Sequence, residues 1–206
     1  MLKKSKLLFH RQLHADLLEF PALVNRLERK DAAFIPELFE WMRRAEEHLL
    51  AYQSRQAAEI AGMRSRILAG RHDEGHGIAK RKLQWKAAAD SLFALQEVLQ
   101  EVCVPLEKQL DEARELIRQL LLIVAQTGAF TYDSKRDFDA FLQEIWKFIC
   151  GNEQLRAGAV KLKTVLSAED IRLLMAEEIN LEDFSAPKRN TTGLQTDPNA
   201  KESRKT

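Results

Sequence analysis

Apolar residues recur at helical spacing along most of this chain. In the first long stretch they step by four, three, four and three residues, and the pattern resumes after Tyr52. The positions concerned are Leu38, Met42, Ala45, Leu49, Tyr52, Ile60, Met63 and Ile67. Residues at these intervals share one face of an α-helix. We therefore predict one amphipathic helix over residues 34–69, closed by Gly70.

A second apolar stripe steps by four, three, four, four, three, four, three and four residues, which is typical of a coiled-coil seam. Its members are Leu95, Leu99, Val102, Leu106, Leu110, Ala113, Ile117, Leu120 and Val124. The stripe predicts a helix over residues 78–127 that packs against the first helix as an antiparallel hairpin. Pro105 lies inside the stripe, and we expect it to kink the helix or to begin a new one.

Shorter helices flank this hairpin. Two short N-terminal helices are predicted, one before Pro21 and one after it. A strongly apolar helix is predicted over residues 138–149, with Asp133 or Ser134 as its N-cap. A further helix begins at Ser167, where Asp170 occupies the second position of a capping box.

These elements predict an all-α fold, an elongated helical bundle built on the long antiparallel hairpin. We assign residues 1–130 to the N-terminal helices and the hairpin, and residues 131–184 to a smaller C-terminal helical module packed on it. Residues 185–206 contain one large apolar residue, Leu194, and we expect them to form a disordered tail.

Composition narrows the class of protein. The chain of 206 residues is 45% hydrophobic and 31% charged, as in soluble globular proteins. Its longest apolar run, residues 120–125, is far short of the roughly 18 residues that span a bilayer, and its first residues lack the apolar region of a signal peptide. Cys103 and Cys150 both follow apolar neighbours, which favours reduced, buried thiols. We expect a cytoplasmic protein without membrane contact.

Metal chemistry is suggested most strongly by the heptapeptide RHDEGHG, residues 71–77. His72 and His76 are four residues apart, but the glycines of this segment indicate a polar turn between two antiparallel helices. His10 and His14 form a second pair, one turn apart on a predicted helix. The Glu-x-x-His pairs of di-iron bundles do not occur. We predict no metal and no cofactor.

One short motif bears on catalysis. Arg43 and His48, in RRAEEH, have the Arg-x4-His spacing that resembles the motif of HEPN-type ribonucleases, which are all-α and often dimeric. The resemblance covers six residues and implies that these two side chains would act on an RNA backbone. The alternative is a solvated helix face on which Arg43 and Glu47 are one-turn neighbours. No phosphate loop or nucleophile elbow occurs, and we assign no catalytic residue.

The net charge of +1 conceals an asymmetry. Residues 43–86 carry ten basic against five acidic residues, whereas residues 87–150 carry six against eleven. The residues gathered around the predicted hairpin tip, called the basic band below, are Arg64, Arg66, Arg71, Lys80, Arg81, Lys82, Trp85 and Lys86. Such a band could neutralise phosphates while its tryptophan stacks on a base. The alternatives are ordinary exposed charges, or contact with the acidic 87–150 surface of a second copy.

From these patterns we predict a non-catalytic helical interaction or adaptor subunit that assembles with itself or with a protein partner. The apolar residues assigned to that contact, called the seam set below, are Leu95, Leu99, Leu106, Leu110, Phe138, Phe141 and Trp146. The alternative is a nucleic-acid-associated accessory protein that uses the basic band, and a more distant one is a HEPN-like ribonuclease. No small-molecule substrate is predicted.

Overall fold

A computed structural model describes residues 3–72 and 77–185, with the side chains of residues 70–79 excepted. Over these ranges the chain forms an all-α helical bundle, as the sequence predicts. The helices are α1 (Lys6–Glu28), α2 (Phe34–Ala51), α3 (Gln56–His72), α4 (Gly77–Gln126), α5 (Phe138–Gly151), α6 (Arg156–Val165) and α7 (Ala168–Glu178), followed by a single 3₁₀ turn (Leu181–Phe184).

The first four helices pack as an up-down-up-down bundle. Each of α1, α2 and α3 packs against the helix that follows it, and α1 closes the ring against α4. The apolar face of each helix points into the core. The buried residues of these faces include Leu13, Trp41, Ile60 and Leu92. Short connections force neighbouring helices to run antiparallel.

The helix predicted over residues 34–69 is instead two antiparallel helices, α2 and α3. Gln53 has a φ of 57°, its N–H donates to Leu50 O, and the Ser54 N–H donates to Leu49 O. This is a Schellman motif, which ends a helix through a left-handed residue. Arg64 then lies 2.8 Å from Glu46, whereas a continuous helix would separate the two residues by about 27 Å.

The two predicted N-terminal helices are one helix, α1, with Pro21 inside it. Pro21 lies on the exposed face of α1. Proline has no backbone N–H, but the hydrogen bond lost at this position disturbs no contact with the core. Apolar side chains on both sides of it, Phe20 and Leu23 among them, are buried and hold the helix in one piece. Lys30, with a φ of 53°, ends the helix in a second Schellman motif.

Helix α4 contains 50 residues and runs unbroken through Pro105, which is also exposed. Its length is about 75 Å at 1.5 Å per residue. The helix is therefore longer than any partner in the four-helix bundle, and it continues beyond them. Gly128, with a φ of 64°, follows its end.

The C-terminal helices α5, α6 and α7 pack on the second half of α4. The N-cap of α5 is Asp137, which accepts from the Ala140 N–H, and neither Asp133 nor Ser134 has that role. The capping box of α7 is confirmed, with Ser167 and Asp170 each accepting from the other's backbone N–H. The predicted tail lies outside the described residues, apart from Ser185. The centre of RHDEGHG, residues 73–76, also lies outside them, between the end of α3 and the start of α4.

None of the described helices is both long enough and apolar enough to cross a lipid bilayer.

Candidate interaction surfaces

The basic band lies where α3 ends and α4 begins, but its members differ in their surroundings. Arg66, Arg81, Lys82 and Lys86 are exposed, and within the described residues none of them has a carboxylate within 4.0 Å. Arg64 instead forms an ion pair with Glu46 at 2.8 Å. Lys80 is half-buried, and the Arg71 side chain lies outside the described part of the chain.

Trp85 is partly buried, because its ring packs against Phe34 with 5.0 Å between the ring centroids. That contact brings the α1–α2 connection to the same end of the bundle. Arg29 and Lys30 are exposed in this connection and extend the basic surface. The sequence analysis missed them because they are about fifty residues from most of the band.

The seam set lies mainly inside the molecule. Leu95, Leu99, Leu110 and Phe141 are almost fully buried, and so is Leu106 to a slightly smaller degree. Phe138 and Trp146 are partly buried and pack against the same core. The regular spacing of the α4 stripe is explained by contacts with helices of the same chain, so its buried leucines are not accessible to a partner that binds the folded protein.

Large apolar side chains do remain on the outer surface of α4. Phe93 is 59% exposed, Val104 is 61% exposed and Leu122 is 52% exposed. Val104 follows Phe93 by eleven residues and Leu122 follows Val104 by eighteen, which are three and five turns of helix. The three side chains therefore project from the same side of α4, and we call them the α4 face. The Phe93 ring lies 6.2 Å from the buried ring of Phe20 on α1.

Arg43 and His48 do not form a common site. Arg43 is exposed and pairs with Glu40 and Glu47 on its own helix. His48 points to α1, where its Nδ1 lies 2.7 Å from Asp16 Oδ2. Five residues rotate a helix by roughly 140° beyond a full turn, which explains the divergence.

The Asp16–His48 pair is instead an interhelical contact between α1 and α2. Asp16 is buried, and the Trp41 indole N–H donates to its backbone oxygen at 2.8 Å. Burial raises the pKa of the Asp16 carboxyl, although His48 and Arg44 oppose that shift. The Asp16 carboxyl orients the His48 imidazole and joins the two helices.

The His10 and His14 rings stack on α1 with 5.9 Å between their centroids. Burial lowers the pKa of His10, which favours its neutral form. The side chains of His72 and His76 lie outside the described part of the chain. Among the side chains that the structure describes, no three His, Cys, Asp or Glu residues converge to ligate a metal.

Asp170 links the two halves of the molecule. Its fully buried carboxylate accepts from Ser167 N, which completes the α7 capping box, and also from Ser5 Oγ at 2.5 Å and Lys6 N at 3.0 Å. One side chain thus caps its own helix and α1 as well. The sequence identifies the first role but not the second, because Ser5 and Asp170 are 165 residues apart.

Comparison with known protein families, with curated proteins and with solved structures found no match. The class of this chain is therefore defined by its own fold, an all-α helical bundle.

Proposed function

We propose that this chain is a non-catalytic helical interaction subunit of the cytoplasm, which assembles with itself or with a protein partner through the α4 face. The observation that carries the proposal is the exposure of Phe93, a large aromatic side chain on the outer surface of a helix. Aromatic residues of this kind are the anchors that contribute most to protein–protein binding.

The position of Phe93 among its neighbours supports the proposal. The Phe20 ring on α1 lies beside the Phe93 ring, and Val104 is a second exposed apolar side chain three turns further along α4. A partner that covered these side chains would remove apolar area from water at about 25 cal/mol per Å². The seam set offers little such area, because the chain's own core already covers most of it.

Sedimentation velocity of the full chain tests self-assembly. Phe93→Glu should shift the sedimentation coefficient to that of a monomer, because a carboxylate would be desolvated in the contact. Val160→Glu is the matched control, since Val160 is an apolar residue 52% exposed on a different helix, α6. The self-assembly form of the proposal fails if both variants sediment like the wild type.

A second candidate function is contact with a nucleic acid through the exposed members of the basic band. The observation in its favour is that Arg66, Arg81, Lys82 and Lys86 are exposed without a carboxylate neighbour in the described residues. Exposed cations without such partners are available for phosphates.

Salt dependence tests this second function. Affinity for a mixed-sequence duplex should fall about a thousandfold between 50 and 200 mM salt if roughly six phosphates are neutralised. Charge reversal at Arg81 and Lys82 should weaken binding to every sequence alike, while Lys135→Glu, in the exposed α4–α5 connection, should leave it unchanged. Equal weakening by both changes would show that the band is not the contact.

A further inference from the structure

A cavity of about 350 Å³ lies where the start of α1, the second half of α4 and α6 meet. Its apolar wall consists of Ala113 and Leu116 from α4 and Leu162 and Val165 from α6. Polar groups surround this wall: Lys6, Gln109, Glu112, Lys161 and Thr164. The volume is within the range of sites that bind small organic molecules, roughly 300–1000 Å³.

The charged groups of the cavity favour an anion. Two ammonium groups, on Lys6 and Lys161, accompany a single carboxylate, on Glu112. Lys6 Nζ donates to Gln109 Oε1 at 2.8 Å, which holds the ammonium at the cavity. Lys3 adds a third positive charge nearby, because its Nζ donates to the carbonyl oxygens of residues 163 and 164 at 2.5 and 2.6 Å.

The charged groups around Lys6 also favour an anion in the cavity. Burial and the positive charge of Lys3 lower the pKa of Lys6, and the buried Asp170 only partly opposes them. Asp170 is already occupied by the N–H groups of two helices and by Ser5. A bound anion would supply the negative charge that stabilises the ammonium form.

We propose that this cavity binds a small aliphatic carboxylate, whose carboxylate group lies between Lys6 and Lys161 and whose hydrocarbon chain packs on the apolar wall. That wall excludes inorganic anions as the preferred ligand, since they would leave it exposed to water. The cavity holds two ammonium groups and one carboxylate, so it disfavours amines, because like charges repel.

No sequence pattern could show this site. Its residues come from three segments, around Lys6, over residues 109–116 and over residues 161–165, and each segment alone is an ordinary piece of amphipathic helix. The site extends the proposed function, because it gives an interaction subunit a place for a small molecule.

Isothermal titration of the full chain with octanoate tests the proposal, with octylamine and inorganic phosphate as comparison probes. Octanoate should bind and the other two should not. Lys6→Met and Lys161→Met each remove one charge-assisted contact and should weaken octanoate binding about tenfold. Lys135→Met is the matched control and should leave the affinity unchanged.

Methyl NMR spectra of the unmodified chain keep the test independent of the variants. Octanoate should shift the methyl signals of Leu116, Leu162 and Val165 and leave those of Leu50 and Leu83, which lie elsewhere on the surface, in place. The proposal is overturned if octanoate causes no shift, if octylamine or phosphate binds equally well, or if neither lysine variant weakens binding.

Discussion

Two buried carboxylates in this chain each join one helix to another. Asp170 satisfies backbone donors of α1 and α7 together, and Asp16 joins α1 to α2 through His48. Both are almost fully buried, yet each has partners that a carboxylate needs. Their effects on stability should therefore differ from those of the many exposed acidic residues.

Asp170→Asn should lower the free energy of unfolding by about 2–4 kcal/mol, because an amide cannot accept from all the donors that the carboxylate serves. Urea denaturation measures this. Glu169→Gln changes an exposed residue of the same turn and should cost less than about 0.5 kcal/mol. Similar effects for the two variants would mean that the double cap does not hold α1.

The pH dependence of stability should reveal Asp16. Its pKa in the folded chain is raised above the ordinary value, 3.8, so the folded state binds the proton more tightly than the unfolded state does. The stability that Asp16 contributes is therefore present at low pH and decreases as pH rises from about 3.8 through the raised pKa.

Asp16→Asn removes this titration and keeps an oxygen that can accept from His48. The difference in unfolding free energy, wild type minus variant, should therefore decrease as pH rises through this window. Denaturation series at several pH values measure the difference. A difference that stays constant or grows with pH would contradict the assignment of burial as the dominant cause of the shift.

At the scale of elements, apolar spacing predicts helices well and helix ends poorly. The stripe from Leu38 to Ile67 has helical steps on both sides of residues 52–55, and this connection contains neither Gly nor Pro. The residue types that usually signal a helix end are therefore absent. Gln53 occupies the left-handed position where Gly or Asn normally occurs. The capping box at Ser167 could be predicted because its residue types are the usual ones.

Gln53→Gly should therefore stabilise the protein by about 0.5–1 kcal/mol, since glycine adopts a positive φ without the steric cost borne by other residues. Thermal unfolding measures the change. Ala58→Gly, at an exposed position within α3, is the comparison and should destabilise by about 1 kcal/mol. Destabilisation by both changes would indicate that α2 and α3 are joined differently.

The contact between α6 and α4 depends on a glycine. A Cβ added at Gly158 would lie 3.0 Å from Leu120 Cδ2, whereas one added at Gly62 in α3 would meet nothing within 4 Å. Gly62→Ala should stabilise by about 0.5–1 kcal/mol through helix propensity. Gly158→Ala should gain less, or lose stability, and should recover the gain in a Leu120→Ala background, as a double-mutant cycle measures. Equal gains at both glycines would show that the helices are not in close contact.

For the whole molecule, α4 is the element that the two groups of helices share. Arg118 and Glu178 pair at 2.6 Å between α4 and α7, and Arg11 and Glu177 pair at 2.6 Å between α1 and α7. These ion pairs connect α7 to both α1 and α4. The exposed members of the basic band (Arg66, Arg81, Lys82 and Lys86), the α4 face and the cavity at Lys6 remain accessible on the surface.

The sequence predicted the all-α class and the α4 helix because these follow from local periodicity. The surfaces could not be predicted in the same way, since periodicity alone does not show which apolar face is covered by other helices of the same chain. Leu99 and Phe93 are both apolar residues of α4, and only the packing of α1 and α3 makes one buried and the other exposed.

The proposed contact with a partner uses the α4 face of the folded chain and leaves the seam set inside. Photo-cross-linking in cells, with benzoylphenylalanine in place of Phe93 or of Val160, distinguishes this contact from the rest of the surface. We expect a discrete cross-linked product, to a second copy or to a partner, at position 93 and none at position 160. Products at both positions alike, or none at position 93, would refute the assignment of the α4 face.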